Sequence, residues 1–517
     1  MAAIITDQFR ILNAKNFVAA ASSSVNSYYA FVGLPNATEV SSTWNTNPPS
    51  PKDSFDEEHS TYDTLVAVKK IPAENIQQMV RKNSWSSGTT YDMYRHDVSR
   101  TKTSKPSDAT SLYAANYYVV NTDFKVYICL DNGTNPENPE GRPSLDEPDF
   151  TDLEPRAAGT SGDGYIWKYL YTIKPADIVK FDSTHFMPVP KDWETSTRDA
   201  AVRNNAETSG QLKIVTINNR GVGLGTANRT YTRVPIKGDG FGAEATVVIN
   251  NNSKVGSVTI SKGGKGYTYG TVDLVAGGVP VGSVDPVFDV IIPPKGGHGA
   301  DIYRELGASN VLMYSRIEND TQNPDFITGN QISRIGIIEN PTAFNSTTLL
   351  TDEKASGLYA LKLVGAGYST AVFDADSRIT QTVGVGSTAV GRVVSYDTNT
   401  GVLKYWQDRT LVGFNTDGTQ NKTPEFGFTL HRFSPTVGAG GTTEINGGSV
   451  TLNIDEQFSG LSTSINSRTY YFGQNFVKGV ANPEVEKYSG NIIHVDNRPS
   501  ITRSTNQKED IKVILQF

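Results

Sequence analysis

The stretch Gly162 to Ile173, GDGYIWKYLYTI, sets two glycines around Asp163 and then runs straight into aromatic and branched residues. It reads as a turn feeding a buried strand. With a strand's period of two, Trp167, Tyr169, Tyr171 and Ile173 fall on one face from Ile166 onward, and Ile166, Lys168, Leu170 and Thr172 on the other. The run is short and aromatic-rich, and Pro175 stands two residues past its end, which favours a strand over a helix. The aromatic face reads as core packing rather than a sugar-stacking platform, because large aromatics dominate interiors.

Outward from this strand, composition points the same way. A chain of 517 residues exceeds what one core supports, so two to four units are expected, some inserted in others. An apolar fraction of 37% with 47 glycines and 25 prolines favours many short strands, hence a mainly β chain. Net charge is −7 and no dense Lys/Arg run occurs, which removes the electrostatic footprint for nucleic acid or an anionic membrane as partner. The single cysteine, Cys129, lies in the apolar run Val126 to Leu130, cannot form an internal disulfide, and reads as a small buried hydrophobe from a reducing compartment. The opening MAAIITDQFR is not signal-like and no run of ~18 apolar residues occurs, so a soluble protein without its own secretion signal is expected.

In chain order, Thr6 or Asp7 caps a short helix with Phe9, Leu12, Phe17 and Ala20 on its apolar face. Tyr28 to Val32 reads as a strand, Trp44 to Pro51 as an extended proline-rich loop, and Thr64 to Ile71 as a second strand. Pro72 suits the first turn of a helix carrying Ile76, Met79 and Val80 and ending near Trp85. After a loop at 86–111, Tyr117 to Val120 and Lys125 to Leu130 read as a hairpin around Asn121 and Asp123. Phe186 to Pro190 and Trp193 lead into a polar linker, Glu194 to Gly210.

One short internal repeat follows. Val215-Thr216-Ile217 with Gly221 and Gly223 recurs as Val258-Thr259-Ile260 with Gly264 and Gly266, followed by Tyr231-Thr232 and Tyr267-Thr268 respectively. Two copies make a small β unit, closing at Ile291 to Pro294, and fall short of a solenoid. Strands resume at Val311 to Ile317 and Arg334 to Ile338. A second Gly/Thr/Ser-rich region runs from Thr347 to Ser467, with a hairpin of Val393 to Tyr396 and Val402 to Trp406 around Asp397 to Gly401. The chain ends with Ile492 to Val495, a polar turn Asp496 to Pro499, and the alternating strand Ile511, Val513, Leu515, Phe517.

Patterns that carry chemistry are absent. Asp146, Glu147, Asp149, Asp152 and Glu154 crowd the loop 131–160 without the alternating ligands, central glycine and closing glutamate of a calcium loop, so they read as solvated. The glycines of 221–225 and 238–242 lack the phosphate-loop lysine and the dinucleotide spacing. The six histidines show no i, i+4 pairing, and His298, between Gly297 and Gly299, reads as part of a mobile turn. Asp374 and Asp376 are adjacent, whereas the paired carboxylates of glycosidases normally come from different strands. No Gly-x-Ser-x-Gly elbow occurs. No catalytic, cofactor-binding or metal residue is assigned, and no enzyme activity is expected.

Two motifs carry a family resemblance. Gly162-Asp163-Gly164-Tyr165-Ile166-Trp167-Lys168-Tyr169-Leu170 and Ser489-Gly490-Asn491-Ile492-Ile493-His494-Val495-Asp496-Asn497-Arg498-Pro499 resemble the baseplate wedge subunit encoded by gene eight of T-even-like contractile-tail phages. Phe9-Arg10, Asn16-Phe17, Tyr29 to Gly33, Trp44, the prolines before Asp53-Ser54, Val80-Arg81, Trp85, Ile335 to Ile338 and Asn340-Pro341 agree in the same order. The resemblance covers roughly residues 5–205, 300–345 and 485–517. It implies a β-sandwich core with a few short helices, in which 1–205, 299–346 and 485–517 form the core and 206–298 and 347–484 are inserted β-rich regions. It also implies a non-enzymatic virion protein of the tail baseplate, assembled in the bacterial cytoplasm as a homodimer. Its partners would be other wedge proteins and tail-fibre attachment proteins, and its motif residues Gly162, Asp163, Gly164, Tyr165, Trp167, Tyr169, Asn497, Arg498 and Pro499 would serve the core. The competing class is a carbohydrate-binding adhesin or depolymerase of the same virion, which would need its tyrosines exposed.

Overall fold

A computed structural model describes residues 6–23, 25–35, 44–206, 208–319, 326–329, 331–407 and 431–517. The opening residues 1–5 and the stretch 408–430 of the second Gly/Thr/Ser-rich region lie outside the described residues. The chain is mainly β, with a few short helices. It divides into two compact units, Met1–Val18 with Gln77–Leu312 and Ile514–Phe517, and Ala19–Ile76 with Met313–Val513.

In the first unit the aromatic strand, Tyr165–Thr172, pairs with Lys125–Asn132, which pairs in turn with Tyr118–Val120. The expected hairpin is present. The expected alternation is not. Register shifts leave Leu130 and Leu170 as extra residues in the ladder, and each bulge flips the side chains beyond it. Trp167 and Tyr171 are buried, but so are Lys168 and Leu170, while Tyr169 is only half-buried.

The helix expected after Pro72 is a single 3-10 turn, Ala73–Asn75, followed by a strand, Ile76–Arg81, paired with Phe186–Pro188. Ile76, Met79 and Val80 fit helical spacing, yet the strand is buried on both faces and has no alternation to read. Its buried Gln77 and Gln78 donate to the carbonyls of Val189 and Ala308, which removes the cost of placing two amides inside. The helix Asp7–Ala21 forms as expected, but it buries Ile11, Ala14 and Val18 and leaves Phe9 and Leu12 51% and 50% exposed.

The segment 206–298 belongs to this unit and has its own apolar core, including Leu212, Val234, Ile236, Val247 and Ile249. Val215–Asn219 pairs with Val287–Val290, and a four-stranded sheet runs in the order Val255–Lys265, Phe241–Ile249, Thr230–Gly238, Gly270–Val272. The linker read at Glu194 to Gly210 contains a short helix, Ala200–Asn205.

In the second unit a five-stranded sheet has the order Lys354–Ser356, Leu65–Ile71, Tyr28–Gly33, Gln331–Glu339, Asn491–Thr502. The turn expected at Asp496 to Pro499 lies instead inside the last of these strands. Asn491–Thr502 is an edge, where Pro499 withdraws no ladder donor that the sheet needs. The hairpin of Ser387–Asp397 and Val402–Trp406 forms as read, with Asp397 opposite Val402. A helix not read from the sequence, Phe55–Asp63, is capped by Ser54, whose side chain accepts from the Glu57 amide.

Candidate functional site

The motif residues fall into two clusters, one in each unit, in which Asp163, Tyr165, Trp167 and Asn497 are buried and Tyr169 half-buried, whereas Gly162, Gly164, Arg498 and Pro499 are exposed and do not serve the core as expected. In the first, Gly164 has a φ of +92°, and a Cβ there would stand 2.9 Å from the Gly133 Cα, so both conformation and space demand glycine. Asp163 locks the turn, its two carboxylate oxygens accepting from the amides of Tyr165 (3.0 Å) and Leu145 (2.9 Å). The Tyr165 hydroxyl donates to the Arg142 carbonyl at 2.7 Å and accepts from the Tyr91 amide at 2.8 Å. Its ring stacks on Trp167 at 5.2 Å between centroids, and Tyr91 meets Trp167 edge-on at 5.9 Å. Burial pushes the Tyr165 hydroxyl well above its ordinary pKa, so it stays protonated and serves the turn as a fixed donor and acceptor. Tyr169 packs edge-on against Tyr127, and its hydroxyl meets Thr172 Oγ1 at 2.8 Å.

In the second cluster Arg334 is fully buried. Its Nε donates to Asn497 Oδ1 at 3.0 Å, one terminal nitrogen to Ser60 Oγ at 2.9 Å and Thr64 Oγ1 at 3.3 Å, and the other to Glu57 Oε1 at 2.9 Å. The guanidinium lies 5.7 Å from the Trp44 ring, Trp44 Nε1 donates to the Arg498 carbonyl, and Asn497 Nδ2 donates to the Pro49 carbonyl. Asn497 and the Arg498 backbone are thus brought together with Trp44 and the prolines, while the Arg498 side chain turns outward to Asp496 at 2.6 Å. Gly336 admits no side chain, because a Cβ would strike the His494 carbonyl and the Phe31 ring.

His298 corrects the reading of a mobile turn. It is buried, its Nδ1 lies 2.6 Å from Glu305 Oε1, its ring meets Tyr94 edge-on at 4.7 Å, and the second Glu305 oxygen accepts from the Gly299 amide. Flanking glycines suggested mobility, and only the distant Glu305 and Tyr94 reverse it. Cys129 is buried, and desolvation pushes its thiol up, away from nucleophilic character.

A cavity of about 630 Å³ is lined by residues that include Gln8, Tyr94, His96, Tyr113, Lys295 and Arg304. Its polar groups engage one another. Gln8 donates to the Tyr113 hydroxyl, Tyr113 to the Arg304 carbonyl, Arg304 Nε to Gln8 Oε1, and the Ile292 amide to His96 Nδ1. Asp374 and Asp376 sit in an exposed turn, with Asp376 paired to Arg392. The carboxylates of 146–154 also disperse, Asp146 to the Ser161 amide, Asp152 to Arg156 and Glu154 to Lys213.

Ion pairs fasten the segment 206–298 to the rest of its unit. Asp289 receives Arg95 at 2.7 Å and Lys102 at 3.1 Å, Arg220 grips Glu137 through two nitrogens, and Lys213 meets Glu154 at 2.7 Å. Burial alone would raise Asp289, but hydrogen bonds from Arg95, Asn218 and Lys102 outweigh it and hold the carboxyl well below the ordinary range. Compared with known proteins, the chain matches no protein-family model and none of the curated sequences.

Proposed function

We propose that this chain is a structural, non-enzymatic subunit of a contractile phage-tail baseplate wedge, acting as a homodimer that bridges neighbouring wedge proteins. The observation that carries the reading is where the resembling residues lie. Gly164, Trp167, Trp44, Gly336 and Asn497 occupy points of close backbone approach or buried hydrogen bonding, the positions a shared fold retains. Burial of Tyr165, Trp167 and Tyr171 argues against their use as a sugar-stacking surface. In this reading the packed units transmit force, and the baseplate rearranges by shifting between discrete packings when the sheath contracts.

The test is location and stoichiometry. Antibody labelling of purified tails should mark the baseplate periphery, and quantitative mass measurement should give two copies per wedge. Label at the fibre tips, or turnover of host polysaccharide by the purified protein, overturns the proposal in favour of an adhesin or depolymerase.

A further inference from the structure

Lys168 stands inside an aromatic strand and is only 2% exposed. Its Nζ donates to the Leu153 carbonyl at 2.7 Å and to Asn205 Oδ1 at 2.8 Å. The same carboxamide is held from its other end, where Asn205 Nδ2 donates to Glu154 Oε1 at 2.8 Å, and Lys213 secures the second Glu154 oxygen at 2.7 Å. Amine, carboxamide and carboxylate therefore stand in one chain. They come from the strand Tyr165–Thr172, the helix Ala200–Asn205 and the preceding loop.

A hydrogen bond of 2.8 Å to a carbonyl about 1.23 Å long, at any angle from 90° to 180°, puts Nζ about 3.1–4.0 Å from Asn205 Cγ. That distance is close to the ~3–3.5 Å of a near-attack arrangement, and Nζ has only to swing from beside Oδ1 to above Cγ for its lone pair to reach the carbon. Burial lowers the Lys168 pKa to about 8, so roughly a tenth of the amines are neutral nucleophiles at pH 7. The hydrogen bonds from Lys213 and Asn205 hold Glu154 below its ordinary range, as the carboxylate that can accept a proton. A cavity of about 10 Å³ adjoins Lys168, Asn205, Lys213 and His298, room for about one water-sized molecule.

We propose that Lys168 and Asn205 join in an intramolecular isopeptide bond, with Glu154 as the proton relay. The Nζ lone pair attacks Cγ, forming the new C–N bond and placing negative charge on Oδ1. Glu154 passes a proton from Nζ to Nδ2, the oxyanion collapses, the Cγ–Nδ2 bond breaks, and ammonia leaves. Amine plus primary amide become a secondary amide plus ammonia, with no oxidant, metal or cofactor. The bond ties the helix at the neck of the 206–298 segment covalently to the strand Tyr165–Thr172.

Intact-mass measurement on the full-length protein tests this directly. The expected mass lies about 17 Da, one ammonia, below that of the sequence. Proteolytic mapping should give a branched peptide joining Lys168 to Asn205. Lys168→Arg should restore the full mass, and Glu154→Gln should slow bond formation by roughly 10²-fold or more. An unmodified wild-type mass with both residues in linear peptides overturns the proposal. So does a loss of ammonia that survives in Lys168→Arg, which marks a cyclised asparagine instead. Bond formation in Glu154→Gln at the wild-type rate removes Glu154 from the mechanism.

Discussion

Arg334→Met tests whether the second cluster holds its sheet together. The substitution keeps most of the side-chain length and removes the donors to Asn497, Ser60, Thr64 and Glu57. The Glu57 side chain is 11% exposed, so its carboxylate is left nearly dry and without its cation. Breaking one half of a buried pair costs about 3–5 kcal/mol, and contact with the Trp44 ring adds about 0.5–2 kcal/mol. At 1.4 kcal/mol per decade, the local opening equilibrium should rise by roughly 2.5–5 decades. Hydrogen exchange at pH 7 reads this from peptides covering Gln331–Glu339 and Asn491–Thr502, which share a ladder. Arg334→Met with Glu57→Leu should recover most of the protection, because an apolar pair of similar volume replaces a buried ion pair at little cost. A single variant that exchanges less than tenfold faster, or a double variant no better than the single, refutes the reasoning.

Trp167→Ala should destabilise the first unit by about 3–5 kcal/mol, the cost of removing a large buried aromatic; an unchanged melting temperature would count against it. Asp289 has a depressed folded pKa, so its contribution is fully present above the ordinary carboxylate pKa and is lost as pH falls below about 4. Protection of Val287–Val290, measured relative to the intrinsic exchange rate at each pH, should then fall on acidification in wild type but not in Asp289→Asn, and parallel behaviour of the two would show that other groups govern the loosening. Replacing 210–295 by a short Gly/Ser linker should leave a soluble, folded protein, since loop closure depends weakly on length; aggregation in light scattering would show that the remainder depends on the segment, Ile291 included. Removing Ile511 to Phe517 takes the buried Ile511 and Val513 from their strand and should cause aggregation, and a folded truncated protein would contradict that.

What was legible in the chain was local. The turn before Tyr165 was readable because Gly162, Asp163 and Gly164 carry their own reason to turn, and the hairpin at 397–401 because its loop residues are adjacent. Ser54 and Glu57, three apart, form the signature of a capped helix, overlooked beside the prolines that precede it. The bulges in the aromatic strand were not readable, since they depend on where Lys125–Asn132 lies. Nor was the burial of Arg334, whose carboxylate partner is 277 positions away. Nor were the partners of Lys168 readable, since the Leu153 carbonyl and Asn205 reach it from segments 15 and 37 positions away.

The neck of the 206–298 segment explains how so large a piece can sit within the first unit. Ala206 and Gly297 lie against each other so closely that a Cβ on Gly297 would strike the Ala206 carbonyl, and the Gly266 amide donates to the Ser209 carbonyl just inside. Chain ends held this close make the segment a loop whose closure the surrounding unit already enforces, and added length then costs little entropy. Its own apolar core supplies the stability that a bare loop of that length would lack. Attachment is nevertheless firm, because Asp289, Arg220 and Lys213 each find an oppositely charged partner outside the segment. The more exposed pairs, Arg220 with Glu137 and Lys213 with Glu154, contribute little singly, so the orientation of the segment rests on the more buried pair of Asp289 with Arg95, on Ile291 within the main core, and on whatever fixes the helix Ala200–Asn205 at its entrance. That last role falls to Arg203, which donates to the Trp193 and Ser196 carbonyls, and to Asn205, through its contact with Lys168.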